Sequence, residues 1–364
     1  MIIGLIGAPN QGKSTFFNAL TLAGAEVAPH PFTTIKPNEG VAYFKVKKLR
    51  PDEHPVKGYT KGDYRFIPIR VIDVAGLVPG ASEGRGLGNQ FLNDLITADA
   101  FIIVVDASGS TDMEGGPVVD YDPTNNVSFI LDELDKWFYS VVSSNWESIR
   151  KRPGAVKELA SKLSGIGINA MHIKTALPLI DDLTAFSKRL RELSKPFIVA
   201  SNKCDKTPKK IAGFKSVNTS AVIEFALRKA DNDGFISYVP GSNEFTVLKE
   251  LSPEQDKALS YARSFLAKQS TGVQDCLNQV VSSLLNCIVA YPVMDDNKWT
   301  DVKGNVLPDA LLLPVGSTAQ DLAYKVHNDL GDGFIKAVDA RTKKSLGREH
   351  VLSDGDVIKI FSKA

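Results

Sequence analysis

Gly7-Ala8-Pro9-Asn10-Gln11-Gly12-Lys13-Ser14 fits the spacing G-x-x-x-x-G-K-[ST], which suits the gripping of a phosphate chain. Its glycines let the loop wrap close to an anion, so that backbone N–H groups and the positive end of a following helix meet it. Lys13 supplies a point charge and Ser14 a hydroxyl for Mg²⁺. At ordinary glycine frequencies a chance match in a chain this long has a probability of roughly one in a hundred. Asn10, Gln11, Gly12, Lys13, Ser14 and Thr15 are therefore expected to bind a nucleotide.

Four further stretches complete that chemistry. Asp73-Val74-Ala75-Gly76 follows an apolar run, where Asp73 can hold the magnesium and Gly76 can give its N–H to a γ-phosphate. Alone this pattern is more often a turn; downstream of a phosphate loop it gains weight. Asn202-Lys203-Cys204-Asp205 offers a base reader: Asp205 can accept from guanine N1–H and the 2-amino group, a donor pair adenine lacks. Lys203 can lie over the base, Asn202 can tie this loop to the first, and Thr219-Ser220-Ala221 offers a backbone N–H for guanine O6. Within Pro31-Phe32-Thr33-Thr34-Ile35, Thr34 is the expected magnesium ligand and Thr33 the other candidate, against an ordinary hydroxyl-rich turn. Lys13, Thr34 and Gly76 form the expected catalytic set; Ser14, Thr34 and Asp73 form the metal set. The glycines between Gly80 and Gly88 suggest a loop that responds to the phosphate state, with a passive linker as the plain reading.

The elements that must position these residues follow from periodicity. An apolar β run at 2–6, the loop and a helical pattern at 15–20 give strand, loop, helix. Further strands are expected at 69–74, 101–106 and 196–201, rich enough in Ile and Val to be buried on both faces of a parallel sheet. Between Asp106 and Phe197 lie 90 residues, far more than the dozen a crossover needs. That stretch reads as a helical insertion. One stripe runs from Val127 to Ile149, Pro153-Gly154 makes a corner, a second runs from Val156 to Ile166, and a third from Leu177 to Leu193 returns to the sheet. Two antiparallel arms fit, as plain core or as a partner-binding surface. From Ile288 onward, strand, strand (310–315), helix (318–330), strand (335–339) and strand (357–361) suggest a small β-grasp, with Ser317 or Thr318 as helix cap and Gly331 as helix end.

The bulk composition sets limits. A chain of 364 residues suggests two or three domains. With 43 Lys plus Arg against 42 Asp plus Glu, net +1, no global field draws it to nucleic acid or anionic lipid. The basic stretch Lys45 to Arg50 reads as a solvated strand edge. No apolar run approaches the 18 or so residues of a membrane span, so a cytoplasmic chain without membrane or DNA partners is expected. Cys204, Cys276 and Cys287 are too scattered for a disulfide framework or zinc site.

With its motifs in this order, the sequence resembles the translation-factor-related GTPases and, within them, the Obg-related family. Pro29 to Asn38, Asp73 to Ala81 and Gly86 to Leu92 look like the YchF-type branch, and residues 286–364 are similar to the TGS domain. The resemblance implies an α/β P-loop GTPase domain with a mostly parallel sheet (1–125 and 196–230) carrying a coiled-coil insertion (126–195). A helical extension packing on that domain (231–285) and a ubiquitin-like β-grasp TGS domain (286–364) would follow. It implies a monomer that hydrolyses GTP with Mg²⁺ as a ribosome-associated switch; the competing reading is a nucleotide-gated ribosome or RNA binding module that accepts ATP as well. Many YchF-type proteins depart from N-K-x-D and use ATP, whereas this chain keeps Asn202, Lys203 and Asp205, implying GTP preference. Leu77 stands where Ras-like enzymes carry a water-orienting glutamine, and leucine cannot hydrogen-bond. Asn10 resembles an asparagine that helps hold K⁺ in related enzymes.

Overall fold

The computed structural model describes residues 1–21, 38–74 and 96–363. Strand β1 (Ile2–Ile6) leads through the glycine loop into helix α1 (Lys13–Thr21). Next come β2 (Glu39–Lys47), β3 (Tyr59–Lys61), β4 (Tyr64–Asp73) and β5 (Ala100–Asp106). Four helices follow: α2 (Thr124–Ile149), α3 (Ala155–Leu163), α4 (Ala170–Ala176) and α5 (Leu183–Ser194). Then come β6 (Phe197–Asn202), β7 (Ser216–Asn218) and α6 (Ala221–Asn232). The chain continues through β8 (Ile236–Tyr238), β9 (Phe245–Val247), α7 (Pro253–Leu266) and α8 (Val273–Gln279). It falls into two units, one built on residues 1–21, 38–40, 70–74 and 96–280, the other on 41–69 and 281–363.

In the first unit the end of β4, β1, β5, β6 and β7 lie side by side, all parallel. All seven residues of β5 are buried, as a two-sided apolar run requires. The helical insertion covers one face: Val127, Ile130, Leu134, Phe138 and Val142 of α2 share a core with Ile6, Ile103 and Val105 of the strands. The apolar stripes are therefore core, and they hold the insertion against the sheet that carries the phosphate loop. Local signals set its corners. Gly154 takes φ 77° before α3, Asn169 and His172 form a capping box on α4, and Asp182 accepts from the N–H groups of Thr184 and Ala185 to start α5. The third stripe is accordingly broken, with α5 beginning only at Leu183.

Residues 231–285 were expected to be helical. Instead β8 and β9 pair as an antiparallel hairpin before α7, which Ser252 caps with Pro253 at its first position. Ile236 and Tyr238, two apart, both point inward, a period of two that a search for helical stripes passes over.

The second unit holds a five-stranded sheet. Its strands are β10 (Cys287–Val293), β11 (Leu311–Pro314), β12 (Phe334–Asp339), β13 (Ser345–Leu346) and β14 (Asp356–Ser362), in the order β11-β10-β14-β12-β13. The parallel pairing of β10 with β14, crossed by helix α9 (Ala319–Val326), is the β-grasp arrangement. Thr318 caps α9 in a capping box with Asp321. The single helix expected over 318–330 is corrected: His327 is extended (φ −162°) and starts a second short helix, α10 (Asn328–Asp332). Gly331 lies inside α10, packed so closely on Tyr324 that a side chain would collide. In the same unit Lys45 lies 4.3 Å from the Tyr64 ring centroid and Arg50 donates to the Lys298 carbonyl, so this basic stretch is tied down locally.

Candidate nucleotide-binding site

Registers Leu5↔Asp73, Ile6↔Ile103 and Asp106↔Asn202 bring the C-terminal ends of four parallel strands to one edge of the sheet, where open α/β sheets take their ligands. The loop leaving β1 wraps a cleft of about 560 Å³ lined by Ala8, Pro9, Asn10, Gly12, Lys13, Ser14 and Thr15. Gly12 has φ 89°, and a Cβ there would strike the Asn202 amide, so only glycine fits. Helix α1 starts at Lys13 and aims its unpaired N-terminal amides into the cleft.

Lys13 is ion-paired with Asp73, and Ser14 Oγ lies 3.5 Å from the other oxygen of that carboxylate. A hydroxyl and a carboxylate converging beside a phosphate loop are the hard oxygen donors Mg²⁺ takes, few enough to leave room for phosphate oxygens and water. An arriving phosphate would offer Lys13 a second anion and release Asp73 toward a cation.

Asn10 and Gln11, the last two residues before Gly12, behave differently. Asn10 sits at φ 60° and donates its amide to the Gly115 carbonyl at 2.8 Å, leaving its oxygen end as the acceptor a cation would use. Gln11 is fully buried. Its side-chain oxygen accepts from the Asp106 N–H (2.6 Å) and the Asn126 amide (3.3 Å), and its nitrogen donates to the Asp112 carbonyl (3.1 Å). That side chain is a peg behind the loop, so any contact of Gln11 with a nucleotide is through its backbone.

At the end of β6, Asn202 donates to the Gln11 carbonyl at 3.1 Å and accepts from the Ala221 N–H at 3.1 Å and the Thr219 hydroxyl at 3.4 Å. Lys203, at φ 61°, reaches back to the Asn10 carbonyl (3.1 Å) and to Asp106 (2.8 Å), which lays its aliphatic stem alongside the phosphate loop. Asp205 receives the Ser220 hydroxyl at 2.6 Å. The N–H of Thr219 goes to the Ser201 carbonyl at 2.8 Å, that of Ser220 to the Thr271 carbonyl at 2.9 Å and that of Ala221 to the Asn202 side chain at 3.1 Å, so each backbone N–H of the segment expected to face guanine O6 has a partner within the protein.

Asp106, fully buried at the end of β5, was not anticipated as part of this cluster. Burial works against its charge, yet donation from Lys203, Ser108, Thr111 and Ser110 outweighs that and holds its carboxyl well below the usual range. The available signal was a carboxylate closing an otherwise apolar strand. Thr33, Thr34, Gly76, Leu77 and the glycine-rich stretch 80–88 lie outside the described residues.

Three family models match the chain. Residues 2–136 match the 50S ribosome-binding GTPase model, 199–295 the G4 motif-containing domain of an Obg-like GTPase, and 303–362 the TGS domain. An uncharacterized GTP-binding protein of Methanocaldococcus jannaschii is 46% identical, covering 100% of this chain and 99% of its own. The ribosome-binding ATPase YchF of Buchnera aphidicola is 29% identical over 98% of this chain and 97% of its own. The crystal structure of a GTP binding protein from Pyrococcus horikoshii, 35% identical, covers 100% of both chains with a TM-score of 0.78.

Proposed function

The chain belongs to the Obg-related, YchF-type P-loop GTPases with a C-terminal TGS domain, and from that premise we propose that it hydrolyses GTP to GDP and phosphate, serving as a ribosome-associated switch. The observation that carries this reading is the bridge through Asn202, which ties the phosphate loop to the base-reading loop and to the start of α6.

The α1 amides and Lys13 bind and neutralise the phosphates, and Asp205, with Lys203 beneath the base, selects guanine. Mg²⁺, when bound, would supply further charge neutralisation on the transferred phosphoryl; Ser14 and Asp73 fit it, joined by Thr34, with Gly76 giving its N–H to the γ-phosphate. With Leu77 unable to orient water, intrinsic turnover falls on the order of hundredths per second or less. K⁺ held at Asn10 accelerates it; equal turnover in KCl and NaCl counts against this part.

The ribosome enters because a relative spanning nearly the whole chain is named for binding it, and the N-terminal family model is described in the same terms. Among the described residues no helix is long and apolar enough to cross a membrane, and the reading places a monomer in the cytoplasm. Phosphate release from GTP and from ATP with Mg²⁺ tests the chemistry: no release from GTP, or equal use of ATP, removes it. Co-sedimentation with ribosomal subunits in GDP and in a non-hydrolysable GTP analogue tests the switch, which fails if binding ignores the nucleotide.

A further inference from the structure

The base-reading carboxylate is held from a part of the chain that carries none of the nucleotide motifs. Ser220, whose hydroxyl donates to Asp205 at 2.6 Å, is itself fixed by the bond from its N–H to the Thr271 carbonyl, 2.9 Å away. Thr271 is fully buried, and its hydroxyl donates to the carboxylate of Glu224. Glu224, also fully buried, further accepts from the Tyr238 hydroxyl at 2.8 Å and from the Arg228 guanidinium. Arg228 donates in turn to the Leu20 carbonyl at 3.2 Å, in the last turn of the helix that begins at Lys13. A relay of hydrogen bonds, main chain between Ser220 and Thr271 and side chain beyond, thus runs from Asp205 to the far end of α1. A second support comes from α7, where the Tyr261 hydroxyl lies 3.3 Å from the Asp205 main-chain carbonyl. Beside Thr271, Gly272 (φ 72°) packs so tightly under the Asn218 carbonyl that no side chain could enter, which fixes the height of the chain before Thr219.

Two hydrogen bonds donated by guanine to one carboxylate tolerate little rotation, so whatever orients Asp205 sets how much better guanine binds than adenine. Adenine offers that carboxylate nothing, so loosening it leaves adenine nucleotides unaffected. We propose that Thr271, with Glu224 behind it, and Tyr261 are positioning residues that set the guanine preference of this site. The proposal rests on the reading of Asp205 as the guanine reader.

The test measures affinities for GDP and ADP with Mg²⁺ in the full chain. Thr271→Val keeps the carbonyl that holds Ser220 but removes the hydroxyl; the GDP-over-ADP preference should fall about fivefold to tenfold, with ADP affinity unchanged and Thr271→Ser restoring the wild-type ratio. Tyr261→Phe, at a half-exposed position that tolerates the change, should lower the ratio about twofold and decides the matter if Thr271→Val does not fold. Parallel loss of both nucleotides would mean a merely structural role and overturn the proposal. If Asp205→Asn collapses the ratio while Thr271→Val and Tyr261→Phe leave it intact, the brace alone is wrong; if Asp205→Asn leaves it intact, the base reading and the proposal fall together.

Discussion

The Asn202 side-chain amide donates to the Gln11 main-chain carbonyl at 3.1 Å, joining two loops that lie 191 positions apart in the chain. The opposite end of that amide accepts from Ala221, so one buried group holds the phosphate loop, the base-reading loop and the start of α6 in register. Asn202→Ala would leave the Gln11 carbonyl and the Ala221 N–H buried without this partner, at roughly 1–3 kcal/mol each. Affinity for GTP and ATP should fall together by at least about tenfold, with a lower Tm. Wild-type affinities by calorimetry would show that the bridge does not organise the site.

Lys13 and Asp73 form an ion pair that an incoming phosphate must rearrange. Lys13→Ala removes the charge that draws the β- and γ-phosphates, and should abolish GTP turnover at any Mg²⁺ concentration. Asp73→Asn should behave differently, keeping nucleotide binding but raising the Mg²⁺ needed for half-maximal turnover. Identical Mg²⁺ titrations for wild type and Asp73→Asn would remove Asp73 from the metal site.

Asp205→Asn exchanges an acceptor for a donor at the edge of the base. Xanthine carries an oxygen where guanine has its 2-amino group, so the variant should prefer xanthosine over guanosine nucleotides, read by competition for hydrolysis. Unchanged preference would show that another group reads the base.

The candidate site was legible because it rests on residue identity at short spacing: Gly12, Lys13 and Ser14 adjoin, and Asn202, Lys203 and Asp205 fall within four positions. Strands β1, β5, β6 and the end of β4 were legible because burial on both faces leaves an apolar run, as at Ala100–Asp106. Contacts between distant segments left no such trace. Nothing local to Gln11 shows that its side chain turns inward to Asp106 and Asp112, and nothing near Thr271 shows that its carbonyl receives Ser220. The break at His327 was hidden because Leu322 and Leu330 keep helical spacing across it, while a side-chain cap inside the stripe restarts the helix.

In the second unit Arg65 is fully buried and donates to the Leu307 carbonyl (2.5 Å) and the Pro308 carbonyl (3.2 Å), with Glu53 3.4 Å away. Burial lowers the guanidinium's proton affinity, and Glu53 works in the opposite direction. Arg65→Ala would leave the buried Glu53 carboxylate without its cation, with only the Leu49 and Arg50 N–H groups, among the described residues, donating to it, and would strand two carbonyls, destabilising the unit by about 3–5 kcal/mol. Adding Glu53→Gln should recover part of that loss, because the stranded charge is gone. Chemical denaturation of both variants checks it, and a double variant no better than the single would show that Glu53 is not the source of the penalty.

Asp106 links acid stability to the site. Its folded-state carboxyl is held below the ordinary value: burial, the largest influence, opposes the charge, but Lys203 and the hydroxyls of Ser108, Thr111 and Ser110 overcome it. A depressed folded value means that the unfolded chain takes up the proton first as pH falls. The stabilisation is therefore complete above the unfolded aspartate value of about 3.9 and drains away below it, toward the folded value. Asp106→Asn keeps the shape but loses the charge that Lys203 pairs with, at roughly 2–4 kcal/mol near neutral pH. The stability gap between wild type and Asp106→Asn should stay level from about pH 7 to 5 and shrink by about pH 3, measured by denaturant unfolding at each pH. A gap that widened on acidification would mean that the folded protein binds the proton more tightly than the unfolded chain, and the charged anchor beneath Lys203 would have to be abandoned.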